Sequence, residues 1–244
     1  MAVARRPGAK RVLLSALLVA AAALFLALGV WQVHRRTWKL DLIATVDRRI
    51  HAAAEPAPGP DAWPGFSSDD EAYSHVRVTG TLLGDREALV MAVTELGAGF
   101  WSLVPLRTEE GWTVLVNRGF VPTDRRDPAT RAEARPPGPV TVTGLLRPSE
   151  PGGAFLRSND PANDRWFSRD VSAIAASRHL GPVAPYFIDA DATPNPGGYP
   201  IGGLTVVAFR NTHLIYAITW FCLASLSLFG LWMLWARRPG TNHG

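Results

Sequence analysis

The sequence predicts an α+β membrane protein in which two transmembrane helices, one near each end of the chain, flank a mostly antiparallel, β-rich extracytoplasmic domain. Three observations predict it. Two uncharged apolar segments each exceed 20 residues. Short alternating segments separated by turn residues fill the stretch between them. Basic residues are in weak excess outside both apolar segments.

The first apolar segment is Val12 to Val33 and the second is Leu214 to Ala236. At about 1.5 Å rise per residue, each is longer than the roughly 30 Å hydrocarbon core of a bilayer. Helices buried inside soluble proteins can be apolar all round but are rarely this long. A cleaved signal peptide has an apolar region of only about 7–15 residues and a small-residue cleavage site. Here bulky Trp31-Gln32-Val33-His34-Arg35 follows instead, so an uncleaved span is expected. Arg5, Arg6, Lys10 and Arg11 precede the first segment, against Arg35, Arg36 and Lys39 after it. Arg237 and Arg238 follow the second, against Arg210 before it. Both comparisons place the tails in the cytoplasm. The expected organisation is a cytoplasmic tail at 1–11, spans at 12–33 and 212–236, an extracytoplasmic domain at 34–211 and a cytoplasmic tail at 237–244. The protein is then a multi-pass protein of the cell (inner) membrane, with the lipid bilayer as its first partner.

The net charge of +4 does not point to nucleic acid, because the arginines are scattered or flank the spans rather than forming a basic stripe with interleaved aromatics. The lone cysteine, Cys222, lies inside the second span and excludes intramolecular disulfides and cysteine-rich metal sites. No H-E-x-x-H, G-x-S-x-G or phosphate-cradling glycine loop is present. No catalytic residue is expected, and the chain reads as something other than an enzyme.

Beyond the first span, Leu40, Ile43, Val46 and Ile50 recur at helical spacing, so Arg35 to Ala54 is expected to continue as an amphipathic helix. The proline- and glycine-rich run from Glu55 to Gly65 reads as a loop. Strands are expected over His75–Leu83, Ala88–Thr94, Trp101–Arg107, Trp112–Asn117, Val140–Arg147 and Tyr186–Asp189. A further strand, Leu204–Phe209, should lead into the second span, and Glu109-Glu110-Gly111 should turn one hairpin. Asp170–His179 is the one convincing helix of the domain, stopped by Gly181-Pro182. Val76-Arg77-Val78-Thr79-Gly80 and Val140-Thr141-Val142-Thr143-Gly144 share V-x-V-T-G and suggest two equivalent strands with a bulge or barrel corner at each glycine.

Three stretches carry a family resemblance. Leu28-Gly29-Val30-Trp31-Gln32-Val33-His34-Arg35-Arg36-Thr37-Trp38-Lys39 resembles the L-G-x-W-Q-x-x-R-x-x-W-K entry motif of the surfeit locus protein 1 family, in its bacterial form. Val116-Asn117-Arg118-Gly119-Phe120-Val121-Pro122 resembles its V-N-R-G-[WF]-[VI]-P motif. Arg210-Asn211-Thr212-His213-Leu214-Ile215-Tyr216-Ala217-Ile218-Thr219-Trp220-Phe221, preceded by Pro200-Ile201-Gly202-Gly203, resembles its exit motif. Glu95 to Trp101 departs from the G-x-P-G-[YF] turn of many members. The resemblance implies an assembly factor for cytochrome c oxidase that assists haem a handling or insertion into subunit I. It implies haem a as cofactor and oxidase subunit I as partner, with haem a synthase a further candidate. The alternative is a cofactor-free structural partner of an oxidase assembly intermediate.

His213 stands at the outer mouth of the second span, with Tyr216 and Trp220 three and seven residues on. A neutral imidazole there can ligate haem iron, and the resemblance implies that role; the alternative is an aromatic and histidine belt that anchors the helix. His34 ends an alanine stripe (Ala16, Ala20, Ala23, Ala27) on the first span, and packing on alanine faces would bring it to His213; alone, it is a snorkelling anchor. Arg118 leaves a strand at a turn and suits a haem propionate or a partner. Its other reading is structural, with Gly119 supplying a special backbone angle.

Overall fold

The computed structural model describes residues 8–134, 136–154, 156–207 and 209–236. The basic residues Arg5, Arg6, Arg237 and Arg238 and the tail at 237–244 lie outside the described residues. The chain divides into two compact units, the stretch Thr45–Val207 and the helical segments on either side of it.

Among the described residues the central unit contains seven strands: β1 (Glu55–Pro56), β2 (His75–Leu82), β3 (Ala88–Thr94), β4 (Gly97–Thr108), β5 (Thr113–Pro122), β6 (Pro139–Pro148) and β7 (Val183–Ala190). They lie in the order β1-β2-β6-β7-β5-β4-β3, and a further pairing of β2 with β4 closes β2, β6, β7, β5 and β4 into a barrel. Only β1–β2 and β5–β7 run parallel, so the sheet is mostly antiparallel. Two-residue periodicity sorts the side chains. Val76 and Val78 of β2, Val114 and Val116 of β5, and Ala184, Tyr186 and Ile188 of β7 fill the interior. The opposite parity, Leu115 of β5 and Phe187 of β7, packs outside against Trp166, Val171 and Ile174. Val171–Ser177 is helix α3, capped by the Asp170 carboxylate, which accepts a hydrogen bond from the Ala173 amide at 3.1 Å.

The V-x-V-T-G echo has a structural basis. The two copies are antiparallel neighbours, with Val76 opposite Gly144, Val78 opposite Val142 and Gly80 opposite Val140. A Cβ on Gly80 would overlap the Arg107 carbonyl of β4, and one on Gly144 the Asp189 carbonyl of β7. Each glycine therefore admits the next strand at close approach, which is how the sheet bends into a barrel. The expected strand over Leu204–Phe209 does not form: its described residues, 204–207 and 209, carry no strand pairing. Gly202 and Gly203 precede it, and no partner strand offers a ladder there; alternation supplies no hydrogen-bond partner by itself. The run from Glu55 is not a bare loop, since β1 and a 3-10 turn over Pro60–Gly65 lie within it. A one-turn helix α2 (Ser68–Glu71) follows.

The other unit is helical. Helix α1 (Ala9–Ile50) has 42 residues and helix α4 (His213–Ala236) has 24, and both are long and apolar enough to cross a membrane. They pair antiparallel. Leu18 of α1 lies near Gly230, the Phe25 ring stacks on Trp220 with centroids 5.7 Å apart, and Gly29 faces Phe221. At the far end the Arg11 guanidinium covers the Trp235 ring at 4.6 Å and donates to the Leu234 carbonyl, while the Trp235 indole donates to Ser15 Oγ at 3.0 Å. The α1 seam thus runs through 11, 15, 18, 22, 25, 29 and 32, alternating steps of three and four, as in a left-handed helix pair. Ala22 of α1 and Ala217 and Ala224 of α4 are buried in it.

This seam is not the expected alanine stripe. Ala16, Ala20, Ala23 and Ala27 are exposed. The seam carries groups that find partners on α4: the Arg11 and Gln32 side chains at its ends, and the Gly29 hollow, which holds the Phe221 ring. A stripe of alanines offers close approach but no such directional contacts. The outer faces expose Leu13, Leu17, Leu226, Phe229 and Trp232, a surface matched to hydrocarbon rather than water.

Candidate functional site

His213 is the first residue of α4 and meets a polar side chain of α1. Its Nδ1 lies 2.7 Å from Oε1 of Gln32 on α1. An amide oxygen only accepts, so Nδ1 must donate, and the proton of the neutral imidazole is committed there. Nε2 is then the acceptor nitrogen, with its lone pair available to a metal. A ring nitrogen held by an outer partner while the other ligates is the usual arrangement at metal-bound histidines. Two residues upstream, the buried Asn211 Oδ1 has no hydrogen-bond partner, leaving an unused acceptor beside the imidazole in the chain.

Among the described residues no three His, Cys, Asp or Glu side chains converge on one point. A bare ion would therefore lack a chelating set. A single imidazole suits a metal that brings its own equatorial donors, as haem iron does. His213 Nε2 is the atom that would hold the iron of such a group.

The other expected residues take separate places. Trp220 sits in the helix seam, stacked on Phe25, and holds α4 against α1 below His213. Tyr216 is 54% exposed, on the flank of α4 rather than in the seam. His34 is exposed and lies two residues from Gln32, about 200° around α1 from the side chain that meets His213. The structure therefore does not bring the two imidazoles together within this chain. Gln32 is the site residue that no local motif chemistry marks. Its signal is a stripe: Arg11, Ser15 and Gln32 are the polar residues of the first apolar stretch and its edge that fall on one three-four spacing.

Arg118 lies in the central unit, on β5. The residues around it explain the V-N-R-G-F-V-P motif. Asn117 is buried; its Nδ2 donates to Asp189 Oδ1 at 2.7 Å and its Oδ1 accepts the Gly119 amide at 3.1 Å. Asp189 also accepts from Arg147 at 2.8 Å and from Arg169 at 3.3 Å. Burial works against the Arg169 charge, but the Glu150 and Asp189 carboxylates outweigh it and hold that guanidinium above its ordinary value. Gly119 has φ +126°, and a Cβ there would overlap the Ile201 carbonyl. The close approach lets Phe120 donate to Ile201 O at 2.8 Å and Ile201 to Phe120 O at 2.9 Å. So the Val116–Pro122 and Pro200–Gly203 motifs are two halves of one contact. Arg118 itself donates to Asn195 Oδ1, and burial pushes its guanidinium below the ordinary value, with Glu87 and Arg131 acting in opposite senses. It lines a pocket of about 230 Å³, smaller than the roughly 300–1,000 Å³ of typical ligand sites.

Comparison with known proteins agrees with the motifs. Residues 19–225 match the family model described as the SURF1 family. The chain is 37% identical over 231 residues to a SURF1-like protein of Monosiga brevicollis, covering 89% of this chain and 85% of that protein. It is 36% identical over 222 residues to Surfeit locus protein 1 of Homo sapiens, covering 84% and 71%. With Surfeit locus protein 1 of Rattus norvegicus it is 36% identical over 227 residues, covering 86% and 71%.

Proposed function

The chain belongs to the SURF1 family, and from that premise we propose that it is a membrane assembly factor for cytochrome c oxidase that handles haem a for insertion into subunit I, with His213 as the axial ligand. The observation that carries this reading is the Gln32–His213 hydrogen bond, which commits Nδ1 and leaves Nε2 to the iron. When bound, the haem supplies the metal that the imidazole holds; the protein performs no chemistry on it. Gln32 orients the ring, and the Phe25–Trp220 stack fixes the helix that bears it. Both helices cross the inner membrane in this reading, with the β-rich unit outside and both tails inside. Haem a synthase is the natural donor of the cofactor, and the transfer needs a site that lets go: one protein ligand, rather than two, suits a carrier.

A second reading is a cofactor-free partner that stabilises an oxidase intermediate. One observation favours it: the β3–β4 hairpin exposes Met91, Val93 and Leu96, and Val93 is 87% exposed. The two readings part in cells carrying His213→Ala. The haem reading expects oxidase-bound haem to fall while the variant remains in the membrane at normal abundance. Unchanged oxidase with normal abundance of the variant would leave the cofactor-free reading standing. A reporter active only outside the cytoplasm, fused near Gly152 and separately after Gly244, tests the topology; activity at the second position alone would reverse it.

A further inference from the structure

We infer that Arg35, Arg36, Lys39 and Arg210, four cations at the outer mouth of the helix pair, form a docking surface for the head group of an anionic phospholipid. The inference rests on the reading that both helices cross the membrane, and not on the haem. Its first support is placement. At about 100° per residue, Arg35, Arg36 and Lys39 fall within an arc of about 100° around the Gln32 face of α1. Asp41, the first acidic residue of the chain, lies about 180° from Gln32. Two contacts bring in the fourth cation. Lys39 Nζ lies 4.9 Å from the centre of the Phe209 ring, and Gln32 meets His213. The segment from 209 to 213 therefore runs back along α1, and Arg210 falls between these two anchors, as Arg36 does.

Among the described residues none of the four shares an ion pair with a carboxylate. Arg35 lies over the Trp38 ring at 3.9 Å and Lys39 over Phe209, contacts that orient a cation and leave its charge in place. Like charges set together repel, and an anion among them turns that cost into attraction. The second support is depth. Val33 ends the uncharged stretch, so positions 35–39 lie about 3–9 Å beyond it, where head groups add about 5–8 Å to each side of the hydrocarbon. Trp31 and Trp38, 56% and 49% exposed, mark the same level as interfacial aromatics. In the orientation proposed above this is the translocated side, where Lys and Arg are depleted, so topology does not account for the cluster. Guanidinium groups match phosphate oxygens in pairs, and the ammonium adds a point charge. A zwitterionic head group would set its own ammonium against these cations; one with net negative charge does not. Basic pockets between membrane helices hold head groups of that kind.

The test uses the full chain in phosphatidylcholine vesicles carrying a trace of spin-labelled phosphatidylglycerol or of spin-labelled phosphatidylcholine. Electron paramagnetic resonance reads the immobilised fraction of each label. The wild type should immobilise the phosphatidylglycerol label preferentially. That preference should fall as NaCl rises from about 50 mM to about 1 M, where the screening length shortens to about 3 Å. Arg36→Gln and Arg210→Gln should each weaken it up to about fivefold, the worth of one basic side chain near an anionic surface. Arg36→Lys should keep most of it, and Arg157→Gln, which removes a charge from the central unit, all of it. A carbonate wash reports whether each protein spans the bilayer. Release of the wild type into the wash would overturn the spanning reading and this inference with it; retention without a lipid preference overturns this inference alone. It is also overturned by unchanged preference in the retained Gln variants, or by full competition from inorganic phosphate, which would make the surface a site for a free anion. Should a Gln variant not be retained, the salt dependence of the wild type decides.

Discussion

Replacing Gly119 by alanine should unfold the link between two of the chain's motifs, and the size of the effect can be worked out. Gly119 sits at φ +126°, a conformation that strains a side-chain-bearing residue by about 1–3 kcal/mol. Its new Cβ would overlap the Ile201 carbonyl, so the Phe120–Ile201 pair of hydrogen bonds must open. At about 0.5–1.5 kcal/mol each, those add roughly 1–3 kcal/mol. The expected loss is therefore about 2–6 kcal/mol, a large share of the roughly 5–15 kcal/mol that holds a domain folded. Gly111→Ala separates the two contributions. Gly111 also has positive φ, +91°, but nothing lies within 4 Å of a Cβ there. Urea unfolding of the full chain in detergent, followed by tryptophan fluorescence, measures both variants. Gly119→Ala should lose more than Gly111→Ala by about 1–3 kcal/mol, the hydrogen-bond share. Equal losses would refute the claim that the two motifs meet at Gly119.

Three further outcomes are expected. Asp189→Ala leaves the Arg147 and Arg169 guanidinium groups and Asn117 without their shared acceptor, so urea unfolding should show a loss of about 3–5 kcal/mol; a loss under about 1 kcal/mol would mean the cluster is not an energetic unit. His75 has acceptors at both ring nitrogens, the Ala52 carbonyl at 2.8 Å and Asp191 at 3.1 Å, which only the doubly protonated ring can serve together. The Ala52 carbonyl, aided by Asp191, raises its pKa above 6.5, against a smaller opposing effect of burial. The stabilisation is then complete below pH 6.5 and lost as pH rises through the raised value, so the stability gap between wild type and His75→Gln should narrow from pH 5.5 to 8.5; a constant gap would contradict it. Gln32→Leu removes the acceptor at His213 Nδ1, so imidazole ¹⁵N shifts should show the Nδ1–H tautomer in the wild type and a mixture in the variant; an Nε2–H tautomer in the wild type would reverse the assigned roles.

The strands and the end helices were legible because their patterns are local. Two-residue alternation marked β3 to the residue, and freedom from charge marked both apolar helices. The V-x-V-T-G echo was legible as equivalence but not as direct pairing, since register is set by Gly80 and Gly144 meeting strands distant in sequence. The alanine stripe of α1 misled for a related reason. Several faces of an apolar helix can pack, and the choice among them falls to groups with partners on α4, such as Gln32 with His213. Asn117, Asp189 and Arg147 were not singled out as a cluster, because their 72- and 42-residue separations carry no periodic signal. Leu204–Phe209 alternates like a strand, yet a strand needs a neighbour, and composition does not report one.

The central claim is that one imidazole, oriented by Gln32, holds haem a. The most direct measurement is the absorption spectrum of the purified protein after co-expression with haem a synthesis, wild type against His213→Ala. The wild type should carry haem with the Soret band of an imidazole-ligated iron, and His213→Ala, recovered at equal yield, should lose the band or shift it to a changed ligation state. Identical spectra for the two proteins would contradict the claim, because the iron would then be held by something other than His213.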